Sequence, residues 1–168
     1  MEPSEVLDIG GGGIYFWWMI GVMTELCTDP ALRSKYKLRG ASAGALAAVL
    51  GTCQVPAQKA LHCAYSLSVE KGIFDRKFGL VGVWRDLVRR WLDSVLPPDA
   101  ADKCSGKVIV VMTSVPSFRQ TKISHFQNKN DLIDACLASI HVPFLMDGRF
   151  STKFRGTATK TLQKVTSA

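Results

Sequence analysis

No stretch of this sequence is long and apolar enough for a helix crossing a bilayer, which takes ~18–20 residues; the nearest is the run at residues 14–23. A helical membrane span is therefore not expected. Positive charge is missing from the start of the chain: Glu2 and Glu5 precede that run where a secretory signal would carry bases, and no small-residue cleavage pattern follows it. Secretion is not expected, and a cytoplasmic setting is. Paired metal-binding or redox cysteines are also absent. Cys27, Cys53, Cys63, Cys104 and Cys136 are odd in number and widely spaced, with no C-x-x-C and no histidine at zinc-finger distance. They read as reduced, mostly buried thiols. Acids are missing from Arg149 onward, where Arg149, Lys153, Arg155, Lys160 and Lys164 supply five of the formal net charge of +7. The body is then nearly neutral, so nucleic acid is not expected as a partner, and the basic end is either solvated or a contact for an anionic surface.

What remains is a chain of 168 residues, 47% hydrophobic and 21% charged, which fits one compact domain and excludes a disordered tail protein. No internal repeat or long linker interrupts it. Residues 6–9 form a short apolar strand ending at Gly10-Gly11-Gly12-Gly13, and residues 14–26 continue as an apolar, proline-free helix that Asp29-Pro30 closes. A second strand at 36–39 runs into Gly40-Ala41-Ser42-Ala43-Gly44, followed by a helix at 45–53. That β-α-β-α order builds parallel sheets covered by helices, and predicts a three-layer α/β/α domain with a largely parallel central sheet. Further helices are expected at 57–70 and 80–96, the second amphipathic and stopped by Pro97-Pro98. The β-branched run 107–114 predicts a strand buried on both faces, and 6–9 is expected to be interior as well. Residues 123–126 are a candidate neighbouring strand, and Asn130 or Asp131 can cap a helix running to about Ser139.

The chemistry concentrates in two glycine-rich turns. Gly40-Ala41-Ser42-Ala43-Gly44 is a G-x-S-x-G between a strand and a helix, the arrangement that exposes a nucleophilic hydroxyl on a sharp turn near the positive end of a helix. The plain alternative is a small-residue loop capping a helix. Gly10, Gly11, Gly12 and Gly13 also follow a strand and precede a helix, so their backbone N–H groups can face an oxyanion formed on attack by Ser42. A phosphate cradle is the rival, but Tyr15 stands where a dinucleotide fingerprint needs glycine, and no Gly-Lys-Ser/Thr follows. An α/β-hydrolase triad fails too. Ser42 comes too early in the chain, and none of His62, His125 and His141 follows Asp147, so these histidines are read as structural or surface groups. Asp147-Gly148 is the one Asp-Gly pair, and its carboxylate is the available candidate to act on Ser42 directly; an ordinary turn is the alternative.

A strand running into Gly10-Gly11-Gly12-Gly13, G-x-S-x-G some thirty residues later, and Ala138-Ser139-x-x-x-Pro143 with a later Asp-Gly together resemble the patatin-like phospholipase family over about residues 5–156. The resemblance implies a Ser-Asp dyad, a glycine-rich oxyanion loop and lipid acyl hydrolysis with no metal or other cofactor. It implies a glycerolipid or phospholipid substrate, met by a cytoplasmic protein at the periphery of a membrane or lipid droplet. Carried over, Ser42 is the nucleophile, with Gly10, Gly11, Gly12 and Gly13 as oxyanion donors, Gly40 and Gly44 shaping the turn and Asp147 as candidate base. Two departures stand out. Ile14, Tyr15, Phe16, Trp17 and Trp18 occupy positions where the family commonly places a base. After Phe154-Arg155-Gly156 the family usually adds one more strand and then its dyad Asp-Gly, whereas residues 157–168 read as a basic polar tail with no buried strand. A truncated or variant form is the corresponding expectation: a domain over 1–156, with an impaired lipid-binding or interaction module as the alternative function.

The aromatic cluster at 15–18 is read as core, because apolar residues cover nearly the whole circumference of the helix that contains it. The 80–96 helix, with Trp84 and Trp91 beside Arg85, Arg89 and Arg90, is the better membrane-contact candidate, though packing on the sheet is favoured for it too.

Overall fold

The computed structural model describes residues 5–160. β1 (Glu5–Ile9), β2 (Tyr36–Ala41) and β3 (Val108–Ser114) lie side by side and parallel, with Ile9 opposite Gly40 and Gly40 opposite Val110. β4 (Gln120–Ile123) pairs with β3 antiparallel, and the hairpin of β5 (Thr152–Phe154) and β6 (Thr157–Lys160) joins through an antiparallel β3–β6 contact. The result is a mixed α/β domain whose parallel centre is flanked by helices, as the β-α-β-α pattern predicts.

β3 is the central strand, with Val108, Val110 and Met112 buried. β1 is not interior. Among the described residues it pairs only with β2, and Val6 and Asp8 are exposed. Asp8 sits opposite Arg39 in register and forms a two-bond ion pair with its guanidinium, so one face of this edge is polar.

The helix buried all round is α3 (Ala43–Thr52), every residue of which from Ala43 to Gly51 is buried. Its small side chains are the cause. A Cβ on Gly51 would lie 2.8 Å from the Cβ of Met23, so α1 (Phe16–Thr28) crosses α3 nearly backbone to side chain. α1 in turn buries Ile20, Met23 and Cys27 at i, i+3 and i+7 and leaves Ile14, Tyr15, Trp17, Trp18 and Val22 exposed at or near its start. The expected burial of the 15–18 cluster is therefore corrected for Tyr15, Trp17 and Trp18, the last 69% exposed, while Phe16 does pack against the core, its ring centre 5.7 Å from that of Trp91. α3 already holds the centre, and α1 has one neighbour-facing stripe.

Asp29-Pro30 ends α1 and also starts α2 (Pro30–Lys35), the Asp29 carboxylate accepting from Ala31 N at 2.8 Å. α4 (Ala57–Glu70) has the expected bounds. α5 (Trp84–Val95) begins later than the 80–96 pattern, and its Val88, Trp91, Leu92 and Val95 are buried. The membrane-contact reading of this helix does not hold for Trp91, whose indole N–H donates to Ala60 O at 2.8 Å inside the protein. α6 (Ala100–Cys104) follows the prolines, and α7 (Lys129–Ile140) is capped by Asn128, which accepts from Asp131 N at 3.0 Å, two or three residues before the expected cap.

The 157–160 segment, expected to open a polar tail, is β6: Val115 N donates to Ala158 O at 2.8 Å and Thr159 is buried. A strand of Thr-Ala-Thr-Lys has no apolar face to betray it, and pairing with β3 holds it in place. The rest of the expected tail, 161–168, lies outside the described residues. The five cysteines are free, four of them buried. No described helix is long and apolar enough to cross a membrane.

Candidate active site

Parallel pairing makes the loops after β1 and β2 leave the sheet at the same edge, which brings the two glycine turns together. β2 ends at Ala41 and α3 starts at Ala43, leaving Ser42 alone to make the turn, with φ 55° and ψ −126°. That is a left-handed conformation for a residue with a side chain, a strain of about 1–3 kcal/mol that only tight surroundings sustain. The surroundings are tight. A Cβ on Gly40 would lie 2.5 Å from Gly44 C, and one on Gly44 would lie 2.2 Å from Ile9 O and 2.6 Å from Gly10 O. Any side chain at 40 or 44 would push α3 off the strands, which explains the two flanking glycines.

Ser42 occupies the N-cap position of α3 without using its side chain as a cap. The hydroxyl is therefore not tied to the helix. Its carbonyl accepts from Ala45 N at 3.0 Å, and its amide donates to Ser139 Oγ at 2.9 Å. Ser139, buried near the end of α7, donates its own hydroxyl to Val111 O at 2.7 Å. One hydroxyl thus ties the Ser42 backbone to β3. As the first residue of α3, Ala43 has an N–H with no intrahelical partner, at the positive end of the helix dipole.

The loop with Gly10, Gly11, Gly12 and Gly13 faces this turn from β1. A Cβ on Gly10 would meet nothing within 4 Å, whereas one on Gly12 would lie 2.5 Å from Met19 Cε. Gly13 has φ 50°, which glycine alone adopts without strain, and Tyr15 N closes the turn onto Gly12 O at 3.0 Å.

Asp147 lies in the loop after α7. One carboxylate oxygen accepts from Arg149 N at 3.1 Å, an Asx turn that explains the Asp-Gly pair, and the other is 3.9 Å from Arg85 Nε. Among the described residues no carboxylate is hydrogen-bonded to the Ser42 side chain. His141 is fully buried beside this loop, and burial pushes its imidazole pKa down against the opposing pull of Asp147.

Ser42, Gly40, Gly44 and the glycine loop are thus gathered at one edge, while Asp147 is engaged elsewhere. Sequence reasoning missed the Ser139 clamp and the Arg85 partner of Asp147. A serine in the otherwise apolar stretch 135–140 was the available signal for the first.

The patatin-like phospholipase family model matches residues 7–160. A human 1-acylglycerol-3-phosphate O-acyltransferase is 30% identical over 92% of this chain and 33% of its own length. A mouse omega-hydroxyceramide transacylase is 26% identical over 84% of this chain and 24% of its own. The human patatin-like phospholipase domain-containing protein 2 is 36% identical over 84% and 29% respectively. The chain spans about a third or less of the length of these three relatives.

Proposed function

The chain belongs to the patatin-like phospholipase family, and from that premise we propose that it is a serine acyl hydrolase of glycerolipid or phospholipid esters, with Ser42 as nucleophile. The observation that carries this is the Ser42 turn: a strained, positive-φ serine with an uncapped hydroxyl, at the start of a helix and between two glycines that tolerate no side chain.

In this reading Ser42 Oγ attacks the ester carbonyl carbon and gives its proton to a base. The carbonyl oxygen becomes an oxyanion held by the Ala43 N–H and by N–H groups of Gly10, Gly11, Gly12 and Gly13, each such donor contributing ~3–4 kcal/mol to the transition state. Collapse breaks the ester bond, the alkoxide leaving group takes the proton, and an acyl group remains on Ser42. Water then attacks the acyl-serine and releases the fatty acid. Two relatives carry names that state acyl transfer; that outcome shares the acyl-serine and differs in having an acceptor hydroxyl replace water. Asp147 is the candidate base. Hydrolysis of a soluble short-chain ester tests the reading: it should fall to background in Ser42→Ala, and an unchanged rate would overturn the site.

A second reading, a lipid-binding or interaction module with impaired catalysis, is favoured by one observation: Asp147 is held by Arg85 and the Arg149 amide and makes no hydrogen bond to Ser42. Under it, the purified chain binds lipid vesicles and hydrolyses no ester.

A further inference from the structure

The loop after α7 begins two residues beyond Ser139, so it stands at the edge of the sheet that carries Ser42. It is bonded to a second loop, 71–83, between α4 and α5, where Gly82 N donates to Leu145 O at 3.0 Å, and to the start of α5, where Arg85 N donates to Met146 O at 3.2 Å. Both loops turn aromatic rings into solvent. Phe74 and Phe78 are 67% and 69% exposed, and Phe144 is 62% exposed with its ring centre 6.0 Å from that of Phe150, the two rings tilted by 50°. Two mutually bonded loops thus carry exposed aromatic rings, and exposed apolar groups in such number mark an interaction surface.

The charge around those rings is positive. Lys71, Arg76 and Lys77 are exposed on the first loop and Arg149 on the second. Asp75 is the exposed acid within the first loop, Glu70 and Asp86 flank it with Glu70 paired to Arg90, and Asp147 faces Arg85. The bases are placed close to the rings: Lys77 Nζ lies 5.7 Å from the Phe78 ring centre, and the Arg76 guanidinium is set by bonds to Gly79 O at 2.8 Å and Val81 O at 3.2 Å. Aromatic rings beside fixed bases suit an interface between acyl chains and anionic headgroups. A second copy of the chain would bring like charges together.

We propose that the surface formed by loop 71–83 and the Phe144–Phe150 pair docks this protein onto anionic phospholipid bilayers, presenting the Ser42 edge to the lipid. This rests on the reading of the chain as lipid-acting, and it places the contact on these loops instead of on α5. The exposed first turn of α1 is apolar but carries no base, and so gives no charge match of its own.

The test is co-sedimentation of the full chain with vesicles of phosphatidylcholine alone or mixed with phosphatidylserine, run beside hydrolysis of a soluble ester. Wild type should prefer the phosphatidylserine vesicles and lose that preference at high salt. Lys71→Glu with Lys77→Glu should weaken binding to them by about tenfold or more, and Phe74→Ser with Phe78→Ser should weaken binding to both. Equal binding by wild type and both variants would overturn the proposal, as would a dimer of the wild type that Phe78→Ser dissolves. Soluble-ester hydrolysis should be the same in all these proteins. Its absence throughout, with docking intact, would overturn the hydrolase reading and leave the docking surface standing.

Discussion

Ser139 Oγ accepts the Ser42 amide proton at 2.9 Å while its own hydroxyl donates to Val111 O at 2.7 Å, so the strained turn of β2 into α3 is anchored to the central strand by one side chain of α7. Ser139→Ala removes both bonds and takes this hydroxyl away from the Ser42 amide and the Val111 carbonyl. A loss of ~1–3 kcal/mol in the free energy of unfolding is expected from urea denaturation. Ester hydrolysis should fall further than stability alone accounts for, because the φ of Ser42 is then free to relax.

Gly44 and Gly10 respond in opposite ways to the same substitution. Gly44→Ala places a methyl 2.2 Å from Ile9 O, and neither β1 nor α3 can yield without moving the sheet. A destabilisation of ~1–3 kcal/mol or more is expected. Gly10→Ala meets open space and should leave the melting temperature nearly unchanged. Thermal melts of the two variants check the contrast.

How much of this was legible in the sequence follows from the range of the forces involved. Ser42 with Gly40 and Gly44 was readable because a sharp turn is local chemistry, and β3 because its apolar run needs no partner to be recognised. The exposure of Trp18 was not readable: whether an apolar helix is central depends on which neighbour takes the centre, and the small residues of α3 let it do so. Nor was β6, whose Thr-Ala-Thr-Lys carries no pattern and is a strand only by pairing with β3. Asp147 is a candidate base on its Asp-Gly alone, whereas its contacts to Arg85 and the Arg149 amide are set by tertiary placement and by its own turn.

His141 makes stability depend on pH. Burial holds its imidazole pKa below the ordinary 6.5, so the native state carries it neutral where the unfolded chain has begun to bind a proton. The contribution is fully present above about pH 6.5 and is lost as pH falls through that value toward the lower native pKa. Asp8 and Asp131, held low by Arg39 and Arg155, add a similar loss only below 3.8. The melting temperature should therefore drop between pH 7.5 and 5.5, and His141→Asn should flatten that slope.

Trp91 tests the assignment of α5 to the core. Trp91→Phe removes the indole donor to Ala60 O and should cost ~1 kcal/mol by urea unfolding. Vesicles that bind the chain should leave the variant and the wild type equally bound, since the ring is 5% exposed.

An activated Ser42 nucleophile is open to covalent capture by an electrophile that mimics the ester. A fluorophosphonate probe followed by peptide mass spectrometry should place the adduct on Ser42, with none in Ser42→Ala and with ester hydrolysis lost in step with labelling. Ester hydrolysis that persists while Ser42 stays unlabelled, or an adduct on another serine, would rule Ser42 out as the nucleophile.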